Sequence, residues 1–299
     1  MPVPDLLIFG EALFDCFEDG SKVLGGAPFN VAWHLRGFNT DPVFLSQVGT
    51  DSSGEQLKQR MTTWGVRTDQ VYTDPQRPTG HVKVSITNGQ PSYEIPPDQA
   101  WDYIRPSSLL STQPTILYHG SLALRNHVSK NTLEALATDQ GNRVFLDVNL
   151  RSPWWSQKSV MDMVKHCTWL KLNDEELKLL AGKEDTEQAV ASFFGRFSKL
   201  SVLFLTQGEH GATAFPRNEA RVRVHPDPSN SPVVIDTVGA GDSFSAVLML
   251  GFYHEWPLAL SMQRAQDFAG AIVAQRGATA VNRALYESFL KEWRVPSDV

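Results

Sequence analysis

The sequence predicts an α/β fold: a doubly wound, mostly parallel sheet with helices on both faces and a small β-hairpin flap. Three observations carry this expectation. Short runs rich in β-branched and aromatic residues alternate with longer runs of helical period. Most of the short runs are apolar at every position, as strands covered on both faces are. One segment, 80–95, instead alternates with period two on either side of Asn88-Gly89, a strong two-residue hairpin signal.

In chain order the strands read as LLIF, VFLSQV, TILYHG, RVFLDV, TWLKLN and SVLFLT. Between them PFNVAWHLRGF, SGEQLKQRMTTW, SKNTLEALATDQ, VMDMVKHC and DEELKLLAG place apolar residues near a 3.6-residue spacing. Such alternation builds right-handed βαβ units around one sheet. From Gly241 to Trp293 three helices follow with little strand between them. The period-two segment lies outside this rhythm and reads as a flap on the main body, or else as an antiparallel edge of the main sheet. No repeat, low-complexity tract or Pro/Gly-rich linker divides the chain, so one domain is expected over 1–299, with a flap formed by about 80–97 and part of 13–24.

Composition narrows the function classes. The 299 residues are 41% hydrophobic and 20% charged, in the range of a globular protein. A formal charge of −6 argues against a general nucleic-acid binder, which needs a basic face to neutralise phosphates. Cys16 and Cys167 are too few for a disulfide framework, and both stand among apolar neighbours as buried thiols do. The stretch MPVPDLLIFGEALFDCF has no basic region ahead of its apolar part and is interrupted by Asp5 and Glu11, so a secretory signal is not expected and a cytoplasmic location is. No run approaches the roughly 20 apolar residues that span a bilayer.

The chemistry gathers at DTVGAGDSF, Asp236 to Phe244, which runs into an apolar helix with no polar face. Unpaired amides at a helix start, with the macrodipole, make a ready anion site. Gly239 and Gly241 leave that backbone bare. Asp242 reads in two ways, as an N-cap or as the group that takes a proton from an attacking hydroxyl while the amides hold a transferring phosphoryl group. Other phosphate motifs are absent. Gly182-Lys183 is followed by Glu184, so there is no P-loop, and Phe244 stands where a dinucleotide fingerprint needs its third glycine. The eight histidines show no metal-ligand spacing.

DTVGAGDSF resembles the C-terminal signature D-T-x-G-A-G-D-x-F of the ribokinase-like (PfkB) carbohydrate kinases at every fixed position. GGAPFNVAWHLRGF, Gly25 to Phe38, resembles their G-G-x-x-x-N-x-A stretch. GEALFDCF, FLDVNLR, LNDEE and LTQGEHGA resemble further family segments in family order, and the first of them looks fructokinase-like. The resemblance implies a ribokinase-like fold with a β lid, ATP as phosphoryl donor, Mg²⁺, and a sugar alcohol as acceptor.

By that resemblance Asp242 is the base, and Gly239, Ala240 and Gly241 with Asp242 form the anion hole. Arg151 lies near the transferred phosphate, and Asp15, Gly25, Gly26 and Asn30 bind the sugar. Asn173 and Glu176 would act on Mg²⁺ through its hydration water, since hard Mg²⁺ keeps its waters. Read alone, however, Asn-Asp-Glu-Glu is also an ordinary acidic helix start. Thr206, Gly208, Gly211, Gly241 and Gln266 fall on the nucleotide side, Gln266 standing where many relatives carry Asn. Asp236, with carbonyls of Val238 and Gly277, resembles a monovalent-cation site, which would be for K⁺. Pairing of two copies through the lid is also implied. Fructose is the expected acceptor, although Val148 replaces a usual proline and YEIPPDQAWDYI departs from the fructokinase lid. A 2-keto-3-deoxygluconate or ribokinase-type kinase, and a catalytically silent sugar-binding sensor on the same fold, stay open.

Overall fold

The computed structural model describes residues 5–87, 90–105, 115–139, 141–183, 185–227 and 233–295. The first half of the chain forms β1 (Asp5–Phe9), β2 (Leu13–Phe17), β3 (Lys22–Gly25), α1 (Ala27–Gly37), β4 (Val43–Gly49), α2 (Ser52–Trp64), β5 (Val71–Asp74), β6 (Gly80–Thr87), β7 (Gln90–Glu94), β8 (Thr115–His119) and α3 (His127–Ala137). It continues through β9 (Arg143–Asp147), α4 (Gln157–Val164), β10 (Trp169–Asn173), α5 (Asp174–Ala181), α6 (Thr186–Arg196) and β11 (Val202–Thr206). The C-terminal part holds β12 (Ala212–Pro216), β13 (Val222–Val224), α7 (Ala240–Tyr253), α8 (Leu258–Val273) and α9 (Arg283–Trp293).

Nine strands form the main sheet in the order β13-β12-β11-β10-β9-β8-β1-β4-β5. All pairings from β5 to β11 are parallel, whereas β12 and β13 add an antiparallel edge. The six strands read from the sequence are β1, β4, β8, β9, β10 and β11. The short β5 and the edge strands β12 and β13 went unread, as did α6.

Successive residues of one strand serve opposite cores, which is why these strands are apolar throughout. Ile116, Tyr118, Phe145 and Phe204 pack with α1, α7 and α8 on one face. Leu146, Leu170, Leu172, Leu203 and Leu205 pack with α4, α5 and α6 on the other, where Leu117 and Val144 meet α3. Cys167 is buried and Cys16 half-buried, and both are free thiols. No helix among the described residues is long and apolar enough to cross a membrane.

The period-two segment is not an edge of the main sheet. Its strands β6 and β7 belong to a second, four-stranded sheet ordered β3-β2-β6-β7. Two antiparallel hairpins, β2–β3 and β6–β7, are joined there by a parallel β2–β6 pairing. The Asn88-Gly89 turn lies outside the described residues. Val82, Val84 and Leu13 pack this sheet onto the body.

After β1 the chain builds outward to β4 and β5, and then returns to β8 and extends the other way. The carboxyl ends of the parallel strands at such a reversal are where open α/β sheets leave a crevice. The residues that follow β1, β9, β10 and β11 meet there.

Candidate active site

A cavity of about 370 Å³ opens at these strand ends, beneath the four-stranded sheet. From that sheet Leu13, Asp15, Val82 and Tyr93 line it. From the body come Gly26 and Asn30 of the α1 start, Arg151 after β9, Asn173 and Glu176, Thr206 at the end of β11, and Val238, Gly239, Gly241 and Asp242. The remaining residues singled out from the sequence, Gly25, Ala240, Gly208, Gly211, Gln266, Asp236 and Gly277, do not line it.

The start of α7 forms the floor. Gly239 is its N-cap at φ +83°, and a Cβ there would stand 2.5 Å from the Cα of Ala278. Both the left-handed backbone and the close approach therefore require glycine. No side chain caps this helix. The amide of Ala240 is already taken, donating to the Thr237 carbonyl at 3.3 Å. The amides of Gly241 and Asp242 donate to no protein acceptor among the described residues, so two amides of this turn are free to meet a ligand. α7 is buried from Ser243 to Gly251 while its first turn opens to the cavity, and free amides at the positive end of a helix suit an anion.

Asp242 occupies the third position of α7 without capping it. Its Oδ2 accepts a hydrogen bond of 2.7 Å from Nδ2 of Asn30. Asn30 is itself 4% exposed, and its Oδ1 has no hydrogen-bond partner among the described residues. Burial pushes the Asp242 carboxyl up to about 6, and the nearby Asp147 charge adds to this. The Asn30 hydrogen bond and the charges of Lys171 and Arg151 pull the other way. Asp15, on β2, is likewise pushed up to about 6 by burial, against the pull of Arg151. Its carboxylate occupies space that only a glycine at 25 leaves, since a Cβ on Gly25 would lie 2.6 Å from Asp15 Oδ2. Gly25 thus shapes the cavity without lining it.

The opposite wall is made by the start of α5, where Asn173 and Glu176 close a reciprocal cap. Asn173 Oδ1 accepts from the Glu176 amide at 2.8 Å, and Glu176 Oε2 accepts from the Asn173 amide at 2.9 Å. Glu176 Oε1 accepts from the Leu150 amide at 2.7 Å. Burial raises the Glu176 carboxyl, while these two backbone bonds lower it. Each carboxylate oxygen keeps a second lone pair. The donor set therefore suits a hydrated Mg²⁺ held through water better than a directly bound ion. Among the described residues no group of three or more His, Cys, Asp or Glu could hold a metal ion.

The guanidinium of Arg151 stands 5.7 Å from the ring centroid of Tyr93, linking the second sheet to the strand ends. Thr206 donates its hydroxyl to the Leu172 carbonyl at 3.3 Å. Gly208 opens a short 3-10 turn and Gly211 packs under Val224, both beyond the cavity wall. Gln266 sits half-buried on α8. Asp236 accepts from the amides of Val238, at 3.0 Å, and Gly277, at 2.9 Å. The structure thus joins these three residues through backbone N–H groups.

Three charged residues of the cavity were not singled out from the sequence: Glu11, Asp147 and Lys171. Glu11 is 3% exposed, its Oε2 has no hydrogen-bond partner among the described residues, and burial pushes its carboxyl up to about 7. Lys171 pairs with Asp147. A lysine in the middle of TWLKLN, a strand otherwise fit for burial on both faces, was the available signal.

Residues 14–285 match the model of the pfkB family carbohydrate kinases. A fructokinase from Klebsiella pneumoniae is 30% identical over 267 residues, covering 82% of this chain and 83% of that protein. A crystal structure of the Vibrio cholerae O395 fructokinase, in a fructose, ADP and calcium ion bound form, superposes with a TM-score of 0.80 at 27% identity, covering 96% and 99% of the two chains. A double mutant of that enzyme was solved with fructose, ADP and potassium ion. The Salmonella enterica aminoimidazole riboside kinase, at 22% identity and a TM-score of 0.83 over 96% and 99% of the chains, shares the fold.

Proposed function

Because this chain belongs to the pfkB family of carbohydrate kinases, we propose that it transfers the γ-phosphoryl group of ATP to a primary hydroxyl of a small sugar, converting fructose to fructose 6-phosphate. One observation carries the reading: the uncapped start of α7 and the Asp242 carboxylate, held by Asn30, share one cavity. An anion site and a proton acceptor side by side are what transfer to an alcohol needs. The fructose assignment is supported by relatives described as fructokinases.

In this reading Asp15, Gly26 and Asn30 hold the sugar hydroxyls. The reacting hydroxyl gives its proton to Asp242 as its oxygen bonds to phosphorus and the bond from phosphorus to the ADP oxygen breaks. A carboxylate raised to about 6 is a better base than an ordinary aspartate. The amides of Gly241 and Asp242 and the guanidinium of Arg151 face the charge on the group in transit. Thr206, Gly208, Gly211 and Gln266 belong to the nucleotide side. Mg²⁺, when bound, supplies neutralisation of the phosphate charge, and Asn173 and Glu176 would hold its water shell. The four-stranded sheet acts as a lid that excludes water, and two copies pair through it. A potassium ion near Asp236 belongs to the same proposal.

The test is sugar-dependent ADP release, measured by a coupled assay across fructose, other hexoses, pentoses, 2-keto-3-deoxy acids and nucleosides, with and without potassium. Fructose should give the highest kcat/KM. Sugar binding without any ADP release would overturn the kinase reading in favour of a sensor, and preference for a keto-deoxy acid would move the acceptor. Light scattering should return the mass of two chains.

A further inference from the structure

Lys171 stands on β10 between Leu170 and Leu172, which are both fully buried, and is itself only 5% exposed. An ammonium in such a place costs several kcal/mol unless it is paired. Its Nζ donates to Asp147 Oδ2 at 2.7 Å. The same oxygen accepts from Ser245 Oγ at 2.8 Å and from Tyr118 OH at 3.4 Å. Asp147 is thereby fixed from the buried face of α7 and from β8. An ammonium has three N–H donors, and only one of them is used here among the described residues.

The position of that ammonium relative to α7 is the telling feature. Among the described residues, and apart from its own helix, a Cβ built on Gly241 would come within 4 Å of Lys171 Nζ alone, at 3.4 Å. The full positive charge therefore lies against the same bare turn that offers the free amides, on the cavity wall. Its charge lowers the carboxyls of both Asp242 and Glu176. Lys171, Asp242 and Glu176 thus line one cavity, with the ammonium near both carboxylates and against the first turn of α7.

We propose that Lys171 is a catalytic residue whose ammonium contacts the phosphoryl group in transit, and that Asp147, braced by Ser245, is the positioning residue that aims it. The inference rests on the kinase reading above. A purely structural pair at this place would be replaceable by apolar side chains without harm. A cation at the reacting group would not be, because it stabilises charge that spreads over the phosphoryl oxygens in the transition state.

The test is Lys171→Met, with Lys171→Met/Asp147→Asn as a second variant that leaves no unpaired buried carboxylate. Both should lose about 10²–10³-fold in kcat, with KM for the sugar changed by less than about 3-fold. Binding of ADP with aluminium fluoride and sugar, measured by calorimetry, should weaken by a similar factor while binding of ADP alone is kept. The acidic limb of kcat/KM should move to higher pH in Lys171→Met, since the lost charge had lowered Asp242, while the selective loss of the ADP, aluminium fluoride and sugar complex is what a purely structural role would not produce. If either folded variant keeps kcat within about 3-fold of wild type, or loses ADP and sugar binding in parallel, the proposal is overturned. A wild-type chain that releases ADP with no sugar would overturn the kinase reading and this inference with it, whereas an active wild type matched by Lys171→Met overturns this inference alone.

Discussion

Two helices begin on the wall of one cavity and use their first turns in opposite ways. At α5 the amides of Asn173 and Glu176 are consumed by each other's side chains, and the carboxylate is held by two backbone bonds. At α7 a glycine replaces the capping side chain, and two amides are left without a protein partner among the described residues. A capped helix start is stable and electrostatically spent. An uncapped one keeps its positive end for a ligand. The difference teaches that the acidic residue in each first turn must be judged by its contacts. Glu176 is a cap that can also face a hydrated ion, whereas Asp242 caps nothing and is tied to Asn30 instead.

The largest effect should come from converting Asp242 to a group that keeps its shape and loses its basicity. Asp242→Asn should lower kcat by about 10²–10⁴-fold while sugar binding by calorimetry is retained. Near-normal turnover would break the contrast between the two helix starts. In the wild type kcat/KM should fall as pH drops through about 6, because the base must be ionised.

The same variant reads out stability. Asp242 has a folded value above its unfolded one, so the folded state binds more protons over that interval. Its contribution is favourable below about pH 4 and lost as pH rises through about 6. Above pH 7 the ligand-free Asp242→Asn protein should therefore be more stable than wild type by roughly 1–3 kcal/mol, and the gap should close by pH 4. Urea titrations at the two pH values check it. A variant that is less active yet more stable marks a carboxylate kept for chemistry.

Gly241→Ala probes the bare turn with one methyl group. The backbone there is helical, so alanine should raise stability by up to about 1 kcal/mol. That methyl would stand in the anion's approach, 3.4 Å from Lys171 Nζ, and displacing the phosphoryl group by about an ångström should cost about 10²-fold in kcat. Unchanged turnover would mean that the phosphate does not approach α7.

The smallest effect belongs to the spent end. Glu176→Gln keeps one carbonyl acceptor and leaves one of two backbone amides unpaired, costing about 1 kcal/mol by thermal unfolding. The Mg²⁺ concentration for half-maximal rate should rise about 10-fold, as when a group outside the direct ligands of a metal is lost. An Mg²⁺ requirement unmoved by this change would reduce Glu176 to a cap alone.

Much of the fold was legible because local pattern and burial agree. Ile116, Leu117 and Tyr118 are apolar in sequence since the two faces of β8 enter different cores. The second sheet was only half legible. The alternation along 80–95 marks β6 and β7, but nothing local says that β2 will join β6 in parallel, which is a pairing across more than sixty positions. The bare start of α7 was legible in the glycine spacing, whereas the use of the Ala240 amide by the Thr237 carbonyl is a matter of turn geometry.

By itself the sequence determined the alternating α/β plan, the glycine-bounded start of a buried helix, and the residue types gathered there, because periodicity and backbone freedom are local properties. Only the tertiary structure decided that Asn30 meets Asp242 across 212 positions, that Lys171 and Asp147 pair beneath Gly241, and that burial raises Asp242 to about 6. Distances between remote side chains and the loss of water around a charge exist only once the chain has closed on itself.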